Sequence, residues 1–317
     1  MSTVALLFPG QGSQYSGMGN AFYEKYPVFK EIVDQASDIL QFNVYNIINN
    51  NDTTLLNQTE YTQPILFTLE YGIYSLLKQH LSKHSLVMAG HSLGEWSALA
   101  CSNTITFESA LSLVSIRAKL MQEAVPIGEG AMVALIGFEL PALVTSLERF
   151  NSNDGNVVEI VNINSAQQIV LAGRKTSIEQ CMSYLRDNNI VKRIIPLNIS
   201  IPSHSRLLHD ASKKFLHKLS TIKFNTPTFP IIHNRTASEN SLADQMPTII
   251  AEQISHPVLW HDSMLYLQKK FNPKIIIEVG PGKILITLIK TLFTTSAIFN
   301  TDNDESLDKI KMELLHD

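Results

Sequence analysis

Residues Gly90-His91-Ser92-Leu93-Gly94 fit Gly-x-Ser-x-Gly, the strand-turn-helix elbow that presents a serine nucleophile. The apolar stretch Leu86–Ala89 precedes them and the helix-like Trp96–Ala100 follows. Small residues at 90 and 94 let the chain reverse sharply and lift the Ser92 hydroxyl above the strand end. The N–H groups opening the next helix favour negative charge at the same spot. That suits acyl transfer through a serine ester. A plain Gly-Ser turn gives the same five residues, so partners elsewhere in the chain must carry the argument.

Three such partners can be read from residue type and position. In Phe8–Gln14, Gly10 and Gly12 free the Gln11 N–H to point into a pocket. With the N–H of Leu93, the residue after the nucleophile, it would form an oxyanion hole. Tyr15 stands where a dinucleotide-binding loop needs glycine, and the Lys-Ser/Thr pair of a P-loop is missing, so a nucleotide site is disfavoured. Arg117 sits in the mostly apolar helix Phe107–Ala124. It is either a surface side chain with a buried stem or, facing the pocket, a planar fork for a carboxylate. Lys119, two residues on, cannot share its face. Ten histidines compete for the role of base. His91 lies within the elbow, and His204 is expected at a strand-to-helix junction, between the strand-like Ile194–Ile201 and the helix Ser205–Leu219. Such junctions are where sites of α/β sheets gather, and a serine nucleophile needs a base.

The elements that must position these residues follow from hydrophobic patterning. Strand-like Val4–Phe8 and Leu86–Ala89 alternate with helical Ala21–Leu40, Pro64–Lys78 and Phe107–Ala124, as in a parallel sheet covered by helices. The middle of the chain reads β-α-β-β-α-β. Its strands are Ala131–Gly137, Val157–Asn164, Gln168–Gly173 and Val191–Leu197, with helices Pro141–Phe150 and Ser177–Asp187. A ferredoxin-like small domain at residues 129–197 is thus expected inside a catalytic domain made of residues 1–128 and 198–317. Beyond it come helices Thr248–Ile254 and Lys283–Phe293, the strand Lys274–Val279 and a polar, weakly structured tail after Asn300. Asn49–Thr54 and Asn151–Asn156 read as exposed loops.

Composition narrows the function classes. The chain has 317 residues, 44% hydrophobic and 17% charged, enough for a large core. A net charge of −4 gives no field for nucleic acid. No apolar run approaches the ~18 residues of a membrane helix. The N-terminus lacks a basic leader region and reads as the first core strand. Cys101 and Cys181 form no metal spacing and suit a reducing compartment. The expected location is cytoplasmic.

These motifs together resemble malonyl-CoA:acyl carrier protein transacylases, the acyltransferases of fatty acid and polyketide synthesis. The resemblance is carried by Phe8–Gln14, Gly90–Glu95, Arg117, Gly130–Gly137, Asn162–Asn164 with Gln168–Gly173, Pro202–His204, Gln253–Trp260 and Glu278–Lys283. They occur in family order across nearly the whole chain. The resemblance implies an α/β-hydrolase-like large domain with a ferredoxin-like insert. It implies Ser92 as nucleophile, His204 as base and acid, and the N–H groups of Gln11 and Leu93 as oxyanion hole. Arg117 would pair with the free malonyl carboxylate, and a carbonyl at Gln253 would orient the histidine. Gln63, Asn162 and His91 would line the acyl site. Malonyl-CoA is the substrate and a phosphopantetheine thiol on an acyl carrier protein the acceptor, with no bound cofactor or metal and no nucleic acid or membrane partner.

Departures are Trp96, where Tyr or Phe is common, and Ser205, where Cys often follows the histidine. Leu56–Pro64 and His233–Ala237 look closer to discrete acyltransferases serving polyketide synthases. Leu93 favours unsubstituted malonyl. The rivals are an acyl hydrolase of the same family, which tends to lose the arginine, and a non-catalytic docking or scaffold protein. Lys192, Arg193, Lys213, Lys214, Lys283 and Lys290 are candidates for a basic surface facing an acidic carrier.

Overall fold

The computed structural model describes residues 2–126, 128–152, 157–199 and 201–316. In chain order the elements are β1 (Thr3–Phe8), α1 (Asn20–Lys25), α2 (Pro27–Leu40), α3 (Val44–Ile48), α4 (Thr59–Leu81), β2 (Ser85–Gly90), α5 (Gly94–Cys101) and α6 (Phe107–Glu123). Then follow β3 (Gly130–Phe138), α7 (Leu140–Asn151), β4 (Val158–Ser165), β5 (Gln168–Arg174), α8 (Lys175–Asp187) and β6 (Val191–Pro196). The last third holds α9 (His209–Leu219), β7 (Ile231–His233), β8 (Ser238–Glu239), α10 (Met246–Gln253), α11 (Trp260–Phe271), β9 (Ile275–Glu278), α12 (Ile284–Ile289), β10 (Ala297–Asn300) and α13 (Asp304–His316).

Among the described residues, six strands form one sheet in the order β10-β9-β1-β2-β7-β8, parallel except for β8. Its central strands are apolar throughout because both faces are covered. Val4, Leu6 and Phe8 of β1 enter one core cluster, while Ala5 and Leu7 enter the other with Trp260. Phe8 lies opposite Gly90 in the β1–β2 register, so the Pro9–Gln14 loop and the serine elbow leave the sheet side by side. This is the carboxyl edge, where open α/β sheets bind ligands. Trp96 is fully buried and meets Phe215 edge-on at 5.8 Å.

The second sheet, β4-β5-β3-β6, is antiparallel and lies wholly within residues 130–196. Its order is that of a ferredoxin-like β-α-β-β-α-β unit. Alternation along β3 divides the labour. Val133 and Leu135 pack with Leu143 of α7 and Ile178 of α8, whereas Met132 and Ala134 face the other way with Val161 and Val170. This open face closes over the carboxyl edge of the large sheet. Backbone hydrogen bonds from Val258 N–H to Val161 O (2.9 Å) and from Ile163 N–H to Val258 O (3.0 Å) tie β4 to the main body and set Asn162 beside the elbow.

The structure corrects several expectations. The helix expected at Ala21–Leu40 is two helices, broken at Tyr26 because Pro27 starts α2. The helix expected from Pro64 begins at Thr59, with the proline inside it. The strand expected to reach Ile201 stops at Pro196, and Ser205–Leu219 opens with a short 3-10 turn at Arg206–Leu208 before α9. The tail is no weakly structured segment. It forms α13, with Leu307, Ile310 and Leu314 buried at helical spacing, and its first residue, Asp304, binds Lys25 and the Tyr26 hydroxyl. Asn49–Thr54 is a loop as expected, while residues 153–156 of the Asn151–Asn156 patch lie outside the described residues. Among the described residues no helix is long and apolar enough to cross a membrane.

Candidate active site

The elbow demands its glycines. A Cβ at Gly90 would sit 1.9 Å from the Gly94 carbonyl carbon, and one at Gly94 would sit 2.1 Å from the Phe8 oxygen. Ser92 itself is held at φ +53°, the left-handed region that L-residues avoid. Asn234, just past β7, supports the turn from below. Its Oδ1 accepts the Ser92 N–H (2.6 Å) and its Nδ2 donates to Gly90 O (2.6 Å). Sequence reasoning quoted Asn234 only as part of a segment and gave it no role. The signal is its place just beyond β7, whose Ile232 pairs with Ala89 next to the elbow.

His204 Nε2 lies 2.8 Å from Ser92 Oγ, and its Nδ1 lies 2.6 Å from the main-chain oxygen of Gln253. The carbonyl is an acceptor only, so Nδ1 carries the proton and Nε2 is free to accept one. His204 is not at the end of a sheet strand, as expected, but in a turn at φ +63°. Its N–H donates to Ile254 O (3.0 Å), and Ser205 Oγ donates to Pro202 O (2.7 Å), closing the turn.

Arg117 is fully buried, which settles the choice between a surface and a site-facing side chain. One amino group donates to Gln63 Oε1 (2.5 Å); the other donates to Gln253 Oε1 (2.9 Å) and Ser92 Oγ (3.2 Å). Its Nε has no hydrogen-bond partner among the described residues. Lys119 points outward and is exposed. Burial pulls the guanidinium down to about 10, which leaves it cationic at neutral pH.

Burial and, next, the Arg117 charge pull the His204 imidazole down to about 3. The His204 imidazole is therefore neutral near pH 7. Unfolded, the same imidazole titrates near 6.5, so between about 6.5 and about 3 the unfolded chain holds the extra proton. The folded state then loses stability as pH falls through that window and is unaffected above it. Melting curves of His204→Gln should fall less steeply with acid than wild type, by up to about 1.4 kcal/mol per pH unit. Identical acid dependence would show that His204 is not held neutral.

Two cavities adjoin beside the elbow, and the serine lines the inner one. The inner one, about 40 Å³, is bounded by Ser92, His204, Gln63, Leu93 and Met121. The outer one, about 490 Å³, runs between the Pro9–Gln14 loop, the open face of the small sheet and α12. Gln11, His91, Met132, Asn162 and Ile199 line both. The shape suits a long thioester arm in the outer space and a short acyl group within. Asn162 presents a buried Oδ1 without a hydrogen-bond partner among the described residues. His91 is anchored through Nε2 to Asn164 Oδ1 (2.9 Å), and burial lowers its pKa. No group of three or more His, Cys, Asp or Glu that could hold a metal occurs among the described residues.

A serine hydroxyl within hydrogen-bond reach of both a neutral imidazole and a buried cation, at the end of a short cavity, defines an acyl-transfer site. A family model described as the acyl transferase domain matches residues 5–302, and the chain belongs to that family, among its malonyl-CoA–acyl carrier protein transacylases. Over 295 residues it is 38% identical to the malonyl CoA-acyl carrier protein transacylase of Escherichia coli O157:H7, covering 93% of this chain and 94% of that one. It is 36% identical to the polyketide biosynthesis malonyl CoA-acyl carrier protein transacylase PksC of Bacillus subtilis (strain 168), covering 90% and 96%. It also superposes on a malonyl-transacylase solved in complex with its type II polyketide synthase acyl-carrier protein. The TM-score is 0.93 and the identity 33%, over 98% of this chain and 100% of that one.

Proposed function

We propose that this chain transfers malonyl from malonyl-CoA to the phosphopantetheine thiol of an acyl carrier protein through a malonyl ester on Ser92. Malonyl transfer between the two thioesters, for fatty acid or polyketide synthesis, is the reaction of the family to which the chain belongs. The observation that carries the assignment of roles is the placing of Ser92 Oγ between the His204 imidazole (2.8 Å) and the buried Arg117 guanidinium (3.2 Å).

Ser92 Oγ attacks the thioester carbonyl carbon while His204 Nε2 takes its proton. The backbone N–H groups of Gln11 and Leu93, both on the inner cavity, receive the oxyanion. The intermediate collapses, the C–S bond breaks, and His204 returns the proton to the departing thiolate. The carrier's thiol then enters, loses its proton to His204 and takes the acyl group by the same steps in reverse. Arg117 holds the malonyl carboxylate, and that carboxylate offsets the Arg117 charge, which adds to burial in lowering the His204 pKa. Gln253 orients His204 through its main-chain oxygen, while Gln63, Asn162 and His91 shape the acyl site.

The unit at 129–197 serves as an inserted lid domain over the catalytic remainder. The carrier docks at the mouth of the outer cavity. Lys283 immediately precedes Ile284 there, and Lys192 and Arg193 lie just before the mouth-lining Pro196; all three are exposed. Lys213, Lys214 and Lys290 are exposed and complete the candidate basic surface. Cys101 and Cys181 are free and buried, which supports a cytoplasmic location.

The test is intact-protein mass spectrometry after malonyl-CoA, then after a panel of phosphopantetheinylated carriers from fatty acid and polyketide synthases. A malonyl-sized gain that passes to a carrier supports the reading, and the preferred carrier names the pathway. An ester lost to water with no carrier taking it would mark a hydrolase.

A further inference from the structure

The scheme above leaves unused a buried acid that lies beside the reacting groups. Glu95 lies on the first turn of α5, three residues after the nucleophile, and is 1% exposed. Its carboxylate accepts from His233 Nδ1 (2.6 Å), Gln253 Nε2 (2.6 Å) and the Asn234 backbone N–H (3.3 Å). Gln253 is the common neighbour of all the reacting groups. Its Nε2 also donates to Ser92 O (2.9 Å), its Oε1 accepts from Arg117, and its main-chain oxygen accepts from His204.

We propose that Glu95 is a positioning residue for malonyl transfer, whose carboxylate fixes the Gln253 amide so that a neutral carbonyl, which the substrate carboxylate can displace, faces Arg117. This rests on the role given to Arg117 above. An amide is nearly symmetrical in shape, so packing alone does not choose which end faces which neighbour. Here the charges choose. Flipped, Gln253 would press its NH2 against the guanidinium donors and its oxygen against the Glu95 carboxylate and the Ser92 main-chain oxygen, turning three attractive contacts into repulsive ones, the two with Arg117 and Glu95 involving full charges.

The spacer also answers a design conflict. A buried guanidinium needs compensating charge. A carboxylate bonded directly to Arg117 would supply it but would occupy the fork that malonyl must use. Arg117 hydrogen-bonds to the neutral Gln63, Gln253 and Ser92, with Glu95 one residue behind Gln253. Electrostatic attraction from Glu95 supports the charged form of Arg117 without blocking it. The structure thus separates charge compensation from substrate contact.

Glu95 also holds His233, so a merely structural role must be separated from a positioning one. The test compares enzyme acylation by malonyl-CoA and by acetyl-CoA, scored as kcat/KM on active-site-titrated protein, for wild type, Glu95→Gln, Gln253→Met and the double variant. The expected result for Glu95→Gln is a fall of about 10- to 100-fold with malonyl-CoA and of less than about 3-fold with acetyl-CoA. In the Gln253→Met background, Glu95→Gln should lower the malonyl-to-acetyl ratio no further. Equal falls for both thioesters, no fall in a folded variant, or additive losses in the double variant would overturn the proposal. If Glu95→Gln does not accumulate as folded protein, Glu95→Asp serves instead; one methylene shorter, it should show the same selective loss to a smaller degree. The wild-type control keeps the two readings apart. No malonyl ester on wild-type Ser92 sinks the assignment of the site and this proposal with it, whereas an ester there with unchanged selectivity in the variants sinks this proposal alone.

Discussion

Ser92→Ala protein mixed with malonyl-CoA should gain no malonyl mass and pass none to a carrier. The loss of turnover is expected to be about 10⁴-fold or more, because no neighbouring group can replace the attacking oxygen. His204 Nε2 faces Ser92 Oγ, and Arg117 is aimed at the same atom. The variant should still fold. Alanine and serine carry the same penalty at φ +53°, and the elbow is held by the Ser92 main-chain N–H and C=O, which the substitution keeps. A melting temperature near that of wild type would show that the loss is chemical. A malonyl adduct that persists on Ser92→Ala would place the nucleophile elsewhere and sink the mechanism.

Arg117→Ala should invert selectivity. In the free enzyme the guanidinium is buried against three uncharged partners, with Glu95 one residue behind, so it lacks a directly bonded carboxylate. The malonyl carboxylate supplies one, with two charge-assisted hydrogen bonds in a planar fork. Losing such a pair costs about 4 kcal/mol, or about 10³-fold in kcat/KM for malonyl-CoA. Acetyl-CoA has no carboxylate to lose, and it no longer has to sit beside an unpaired cation. Its kcat/KM should hold or rise, as a site rid of a buried unpaired group rejects the smaller acyl chain less. Acylation rates with both thioesters measure this. A similar fall for both would mean that Arg117 supports the site structurally and does not read the substrate.

Much of this site was legible before any fold was known. Gly90, Ser92 and Gly94 declare the elbow, because a turn this tight excludes a Cβ at both flanking positions. Val4–Phe8 and Leu86–Ala89 declare buried parallel strands by being apolar at every position, and the alternation of strands and helices over residues 131–197 declares the small sheet. The tail was misread because the apolar positions Leu307, Ile310 and Leu314 are spread thinly among charges, and only packing against the main body makes them a helix face.

The sequence by itself determined the Gly90–Gly94 elbow, the class of chemistry and the two kinds of sheet, since these depend on local sterics, on motif and on the period of hydrophobic residues. Only the tertiary structure decided that Arg117 turns inward, that His204 sits in a turn and not at a strand end, and that Asn234 and Glu95 belong to the site. The distances Ser92 to Arg117, His204 to Gln253 and Glu95 to Gln253 join residues 25, 49 and 158 positions apart. Such contacts arise from how separate helices and strand ends meet at one sheet edge, and neither propensity nor spacing along the chain encodes that meeting.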